Sequence, residues 1–209
     1  MGHSRLIRRA AIAAFVATQL LQSQHSFAQQ PAPPRNEQTI ADSQNDFSGL
    51  QGKAGWSYLF FISNKDGTDL YVPDDSRPMN WSLAKGGRKA GWSGPLQWYI
   101  QSETGAEPEA INGCFQGWTV RRWTSDRTAT LHITGHASRG SKEGDGVGIK
   151  VFIDGKELFT KLLPPASATD FDLTAPVNKG SRLDFVVTPG PGLDANFDAT
   201  DFRVTILKP

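Results

Sequence analysis

The chain has 209 residues and one cysteine, Cys114, so no disulfide can close within it. The cross-links that often hold small exported domains together are excluded. Stability must come from packing or from a bound ion, and Cys114 itself reads as a small buried apolar residue. Charge of one sign is also missing. Twenty-two Lys and Arg face 21 Asp and Glu, for a formal net charge of +1. Nucleic-acid binding needs a concentrated basic face, and the Arg121-Arg122 pair is too small to supply one. No stretch repeats apolar residues at the i, i+3, i+4, i+7 spacing of an amphipathic helix, which argues against helical and parallel α/β folds. The longest apolar run, Ala10 to Leu21, is broken by Thr18 and Gln19 and falls short of the ~20 residues a membrane helix needs.

That run follows Arg5, Arg8 and Arg9 and precedes Ser26-Phe27-Ala28. Basic, apolar and small residues in that order predict a secretory signal over residues 1–28, with cleavage after Ala28. Its removal would take three basic and no acidic residues, moving the net charge to about −2. The expected location is secreted or periplasmic, with no membrane span after the signal is removed. Residues 29–46 are rich in Gln, Pro, Asn and Asp with Ile40 as the one sizeable apolar side chain, and read as a disordered leader. The globular part is expected over residues 47–209.

From there the pattern is that of strands. Leu131, Ile133, Gly135 and Ala137 alternate with His132, Thr134 and His136, as do Val147, Ile149, Val151 and Ile153 with their neighbours. Asp154-Gly155 supplies a hairpin turn, after which Leu158, Phe159 and Leu162 return. Leu183, Phe185 and Val187 form another set, ended by Pro189-Gly190-Pro191-Gly192. Phe202, Val204 and Ile206 close the chain. Short strands separated by turn residues, with no helices between them, predict one all-β domain, an antiparallel sandwich or barrel.

Four segments carry a resemblance: Gln51-Gly52-Lys53-Ala54-Gly55-Trp56-Ser57-Tyr58, Val120-Arg121-Arg122-Trp123-Thr124, Gly144-Asp145-Gly146-Val147 with Ile153-Asp154-Gly155-Lys156-Glu157-Leu158, and Asn196-Phe197-Asp198-Ala199-Thr200-Asp201-Phe202. In this order, across residues 47–207, they resemble the jelly-roll, galactose-binding-like accessory domains of secreted bacterial proteins, which serve as carbohydrate-binding modules beside glycosidases. The resemblance implies an antiparallel β-sandwich, a jelly roll that binds glycan, and it adds weight to a structural calcium. Two features depart from it. The domain is expected to stand alone, with no catalytic module attached, and the segment from Trp81 to Trp118 is richer in tryptophan than the pattern.

All six tryptophans lie between residues 56 and 123. An indole face packs on sugar C–H groups while polar neighbours fix the hydroxyls. Trp56 and Trp123 sit within the strand motifs and are expected in the core. Trp81, Trp92 and Trp98 lie among Gly, Ser, Asn, Lys and Pro and are candidates for exposed rings, with Trp118 between the two cases. Asn80, Arg88 and Gln97 are candidate hydrogen-bonding partners beside them. Asp194, Asn196, Asp198 and Asp201 crowd the approach to the last strand, and such oxygen-rich loops suit calcium or an Asx-rich turn. His132 and His136 share a face about 13 Å apart, too far to hold one metal ion.

Catalytic signatures are weak. Gly91-Trp92-Ser93-Gly94 has no helix after it to build a nucleophile elbow. Gly144-Asp145-Gly146-Val147-Gly148 enters a strand, so no helix N-terminus awaits a phosphate. The sequence therefore predicts a non-catalytic glycan-binding module. A structural or adhesive envelope protein that binds another protein and a small polysaccharide-active enzyme stand as alternatives.

Overall fold

A computed structural model of the chain describes residues 37–64, 70–82, 90–94, 99–101, 105–106, 109–111, 115–192 and 196–209. In chain order its strands are β1 (Gln38–Asp42), β2 (Trp56–Asn64), β3 (Arg77–Pro78), β4 (Asn80–Ser82), β5 (Gly91–Ser93), β6 (Tyr99–Gln101), β7 (Gly105–Ala106), β8 (Glu109–Ile111), β9 (Phe115–Thr124), β10 (Ala129–Arg139), β11 (Val147–Ile153), β12 (Lys156–Leu163), β13 (Ala168–Val177), β14 (Arg182–Pro189) and β15 (Thr200–Lys208). The first sheet runs β1-β15-β10-β13, with β7 also on β15. The second runs β12-β11-β14-β9-β2-β3, with β8 on β9, and a small third sheet runs β4-β5-β6.

The two large sheets face each other across one core, toward which strands such as β10 and β15 turn every second residue. Leu131, Ile133, Val204 and Ile206 of the first sheet share one core with Trp56, Tyr58, Ile149, Phe185 and Val187 of the second. Every described pairing within these sheets is antiparallel. Between β10 and β15 the chain passes back and forth between the sheets, and this crossing makes the fold an antiparallel β-sandwich of the jelly-roll kind. The Asp154-Gly155 turn has φ of 48° and 85°, the pair of positive values that matches a two-residue turn to the twist of its strands.

Part of the predicted leader belongs to the fold. Residues up to 46 read as disordered because they contain little to bury, yet Gln38–Asp42 forms β1 and pairs with β15. Backbone bonds to an existing edge replace side-chain burial as the source of order. Ala41 adds a small buried contact, and Ser43 both donates its N–H to the Val204 carbonyl and accepts from the Val204 N–H at 2.9 Å.

The pleat sends the adjacent arginines of β9 to opposite faces. Arg121 points between the sheets, fully buried, and donates to the Phe202 carbonyl at 2.7 Å. Burial pulls its pKa down to about 10, offset in part by Tyr58 and Asp201. Arg122 faces outward, where a second cluster of Leu59, Phe61, Tyr71, Trp118, Val120, Phe152 and Val186 packs on the outer side of the second sheet.

Candidate functional site

Trp81 and Trp92 stand directly opposite each other in β4 and β5, so both rings project to one side. That side is the core. Trp92 is only 3% exposed, stacks on Tyr58 at 5.1 Å and donates its indole N–H to the Ser48 carbonyl at 2.8 Å. The expectation of an exposed ring is corrected here: the small residues around Trp92 make room for a packed indole rather than marking a loop. Trp81 is half-buried, packs edge-on against Trp92 at 5.3 Å and lies so close to Gly49 that a Cβ there would fall 2.7 Å from the indole. Asn80 is exposed beside it. Trp118, read as standing between core and exposed ring and as a candidate ligand contact, is buried at 3% exposure. It lies in the outer aromatic cluster, with the Lys150 ammonium 5.8 Å from its ring. Trp98, Arg88 and Gln97 lie outside the described residues.

The acidic approach to β15 is tied to two arginines. Asp198 is buried with its carboxylate 3.6 Å from Arg139, whose side chain is also fully buried. The same guanidinium donates to the carbonyls of Glu143 at 2.8 Å and Phe197 at 2.7 Å. Asp201 accepts two bonds from Arg203. Asn196 is exposed, and Asp194 lies outside the described residues.

The feature that the sequence did not single out lies on the outer face of the first sheet. There a groove of about 510 Å³ crosses β13, β10 and β15. Register builds it in rows. Asp170, His136 and Arg203 form one row, and Asp172, Thr134 and Thr205 form the next. The backbone of Gly135 and Phe171 contributes to the lining between these rows. Gly135 is required on the opposite side, where a Cβ would fall 2.0 Å from the Phe171 ring. Asp170 bonds His136 Nδ1 at 2.6 Å, and both side chains are exposed.

His132 extends the groove's polar face. Its Nδ1 lies 2.8 Å from Glu37 Oε2 and its Nε2 lies 2.7 Å from Asp172 Oδ1. A neutral imidazole has one N–H, so serving two carboxylates requires the imidazolium. The hydrogen bond to Glu37 is the largest cause raising the His132 pKa, joined by Asp172 and opposed by burial. A raised folded value means the clamp is fully present below the unfolded value of about 6.5 and is lost as pH rises through the folded one. The stability lost in His132→Ala is therefore expected to be largest near pH 5.5 and to shrink toward pH 9. Urea unfolding of both proteins across that range checks it. A difference that does not change with pH would refute the imidazolium clamp.

No protein-family profile matches the sequence, and no curated protein matches it. Solved structures that overlap it include carbohydrate-binding modules. A family 35 module from Clostridium thermocellum overlaps with a TM-score of 0.32 at 6% identity, covering 70% of this chain and 96% of that one. The CBM51 of a Clostridium perfringens GH95 protein, solved with methyl-galactose, overlaps at 0.36 with 10% identity, covering 82% and 94%. An arabinose-bound MgGH51 α-L-arabinofuranosidase overlaps at 0.39 with 10% identity, covering 82% of this chain and 27% of that one. Scores at this level carry no argument about what the groove holds.

Proposed function

We propose that this protein is an exported, non-catalytic module that binds glycan in the groove across β13, β10 and β15. The observation that carries the reading is the groove itself. Its volume of about 510 Å³ falls within the ~300–1,000 Å³ of small-ligand sites, and carboxylates, imidazole and hydroxyls converge on it. Carboxylates on adjacent rows suit the vicinal hydroxyls of a sugar ring. Binding is favoured over hydrolysis because a general acid needs a carboxyl kept from water, whereas the side chains of Asp170 and Asp172 are 83% and 75% exposed. Export rests on the segment from Arg5 to Ala28.

Trp81 is the one described candidate ring that is not fully packed away, and a stacking contact at that edge is part of the proposal. So is calcium in the loop before β15. An ion there would compete with Arg139 for Asp198, and melting temperature against calcium concentration decides it.

The test is a binding screen of the purified protein on a glycan array and on insoluble polysaccharides, with the Asp170→Asn/Asp172→Asn double variant and Trp81→Ala alongside. Saturable binding that weakens tenfold or more in the double variant is expected, since bonds to charged acceptors are each worth about 1.5–3 kcal/mol. Loss in Trp81→Ala alone would move the site to the β4–β5 edge. A folded protein that binds no glycan overturns the reading and directs the search to a protein partner.

A further inference from the structure

The groove's donors and acceptors are unequally committed. Arg203 spends its Nε and one terminal nitrogen on Asp201, at 3.2 and 2.9 Å. His132 spends both ring nitrogens on Glu37 and Asp172, and His136 spends Nδ1 on Asp170. Asp170 and Asp172 each accept at Oδ1, and their side chains are 83% and 75% exposed. Arg203 keeps donors on its other terminal nitrogen, but its charge and that of His132 are already paired with carboxylates. Glu37, Asp170, Asp172 and Asp201 bring four carboxylates to this face against the cations of Arg203 and His132, so the local field is negative.

Building on the glycan reading, we propose that the groove selects glycans bearing a free amine, of the glucosamine type, and rejects those bearing uronates. A ring ammonium supplies several donors and a positive charge, and the Oδ2 atoms of Asp170 and Asp172 receive both. The two rows place these carboxylates roughly 7 Å apart along β13, a span over which one sugar unit reaches both. A uronate brings a third carboxylate beside them, and the guanidinium and the imidazolium that would draw it in already carry carboxylate partners of their own.

Three oligosaccharides of equal length separate the possibilities: a glucosamine oligomer, its N-acetylated form and a galacturonate oligomer, measured by calorimetry at pH 5.5 and low salt. Exposed charge pairs contribute modestly, so the amine form is expected to bind about fivefold more tightly than the neutral one, with the uronate weakest. The advantage should fade as salt screens the exposed charges. It should also vanish in Asp170→Asn/Asp172→Asn, whose fold is checked by circular dichroism because Asp172 also holds His132 and Asp170 also holds His136. Equal binding of all three, or tighter binding of the uronate, overturns the selectivity and leaves glycan binding standing. Binding of none overturns both.

Discussion

Replacing Asp184 with Ala is expected to lower the unfolding free energy by about 3–5 kcal/mol, the usual cost of removing one member of a buried ion pair. Asp184 sits on the outward side of β14 with no exposure. Its carboxylate accepts from Arg122 Nε at 2.7 Å, from Arg122 Nη2 at 2.9 Å and from the Tyr71 hydroxyl at 2.8 Å. Arg122 also donates to the Pro73 carbonyl at 2.9 Å, so the network fastens the segment around Tyr71 to the sheet. Burial, with Asp184 next, pushes the Tyr71 hydroxyl above its ordinary pKa, and it stays a donor across the working pH range. Without the carboxylate, a guanidinium only 12% exposed faces apolar neighbours. Urea unfolding measures the loss. The double variant Arg122→Leu/Asp184→Leu should recover most of it, because apolar pairs of similar volume often match a buried ion pair. A cost below about 1 kcal/mol for Asp184→Ala would show that the network is not what holds this segment.

How far the sequence reveals such features depends on whether they are local. The alternation around Ile133, Val151 and Phe185 is local and identifies strands, though β11 and β14 are also covered on their outer face by Phe152 and Val186. The Asp154-Gly155 turn is legible for the same reason. The fate of Trp92 is not local, because its burial comes from Tyr58 and the Ser48 carbonyl, more than thirty residues away. Composition around Trp92 says loop, and register with Trp81 says core. β1 was missed for a related reason. A strand ordered by pairing with β15 needs few apolar residues of its own, so its composition resembles a disordered leader.

The groove shows the limit most clearly. Alternation places His132 and His136 on one face, about 13 Å apart along the strand. It cannot say which residues fill the space beside them. Asp170 and Arg203 flank His136 through pairings of 34 and 67 residues' separation, set by packing of the whole sandwich. Had the registers been known, the rows of Asp, His and Arg would have been visible from sequence. The Arg121-Arg122 pair makes the same point, since the pleat sends one guanidinium into the core and the other to Asp184.

The second large effect is expected at Arg139. Its guanidinium joins Asp198 to the carbonyls of Glu143 and Phe197, tying the turn before β11 to the loop before β15. Packing there is close: a Cβ on Gly144 would stand 2.9 Å from the guanidinium and from the Asn196 carbonyl. Arg139→Met keeps much of the length but removes the charge and donors, leaving a carboxylate only 1% exposed without its cation. A loss of about 3–5 kcal/mol in urea unfolding is expected. Adding Asp198→Asn should return part of it by removing the buried charge, though not the part that belongs to the two carbonyls. Calcium gives the experiment a second readout. Once the guanidinium is gone, Asp198 and those carbonyls form a set of hard oxygens of the kind that ion accepts. Calcium should therefore raise the melting temperature of Arg139→Met more than that of the parent chain, and should do so only while Asp198 is present. An equal calcium response in both proteins would show that the guanidinium does not stand in the way of an ion. A loss under about 1 kcal/mol would show that the two loops hold together without it.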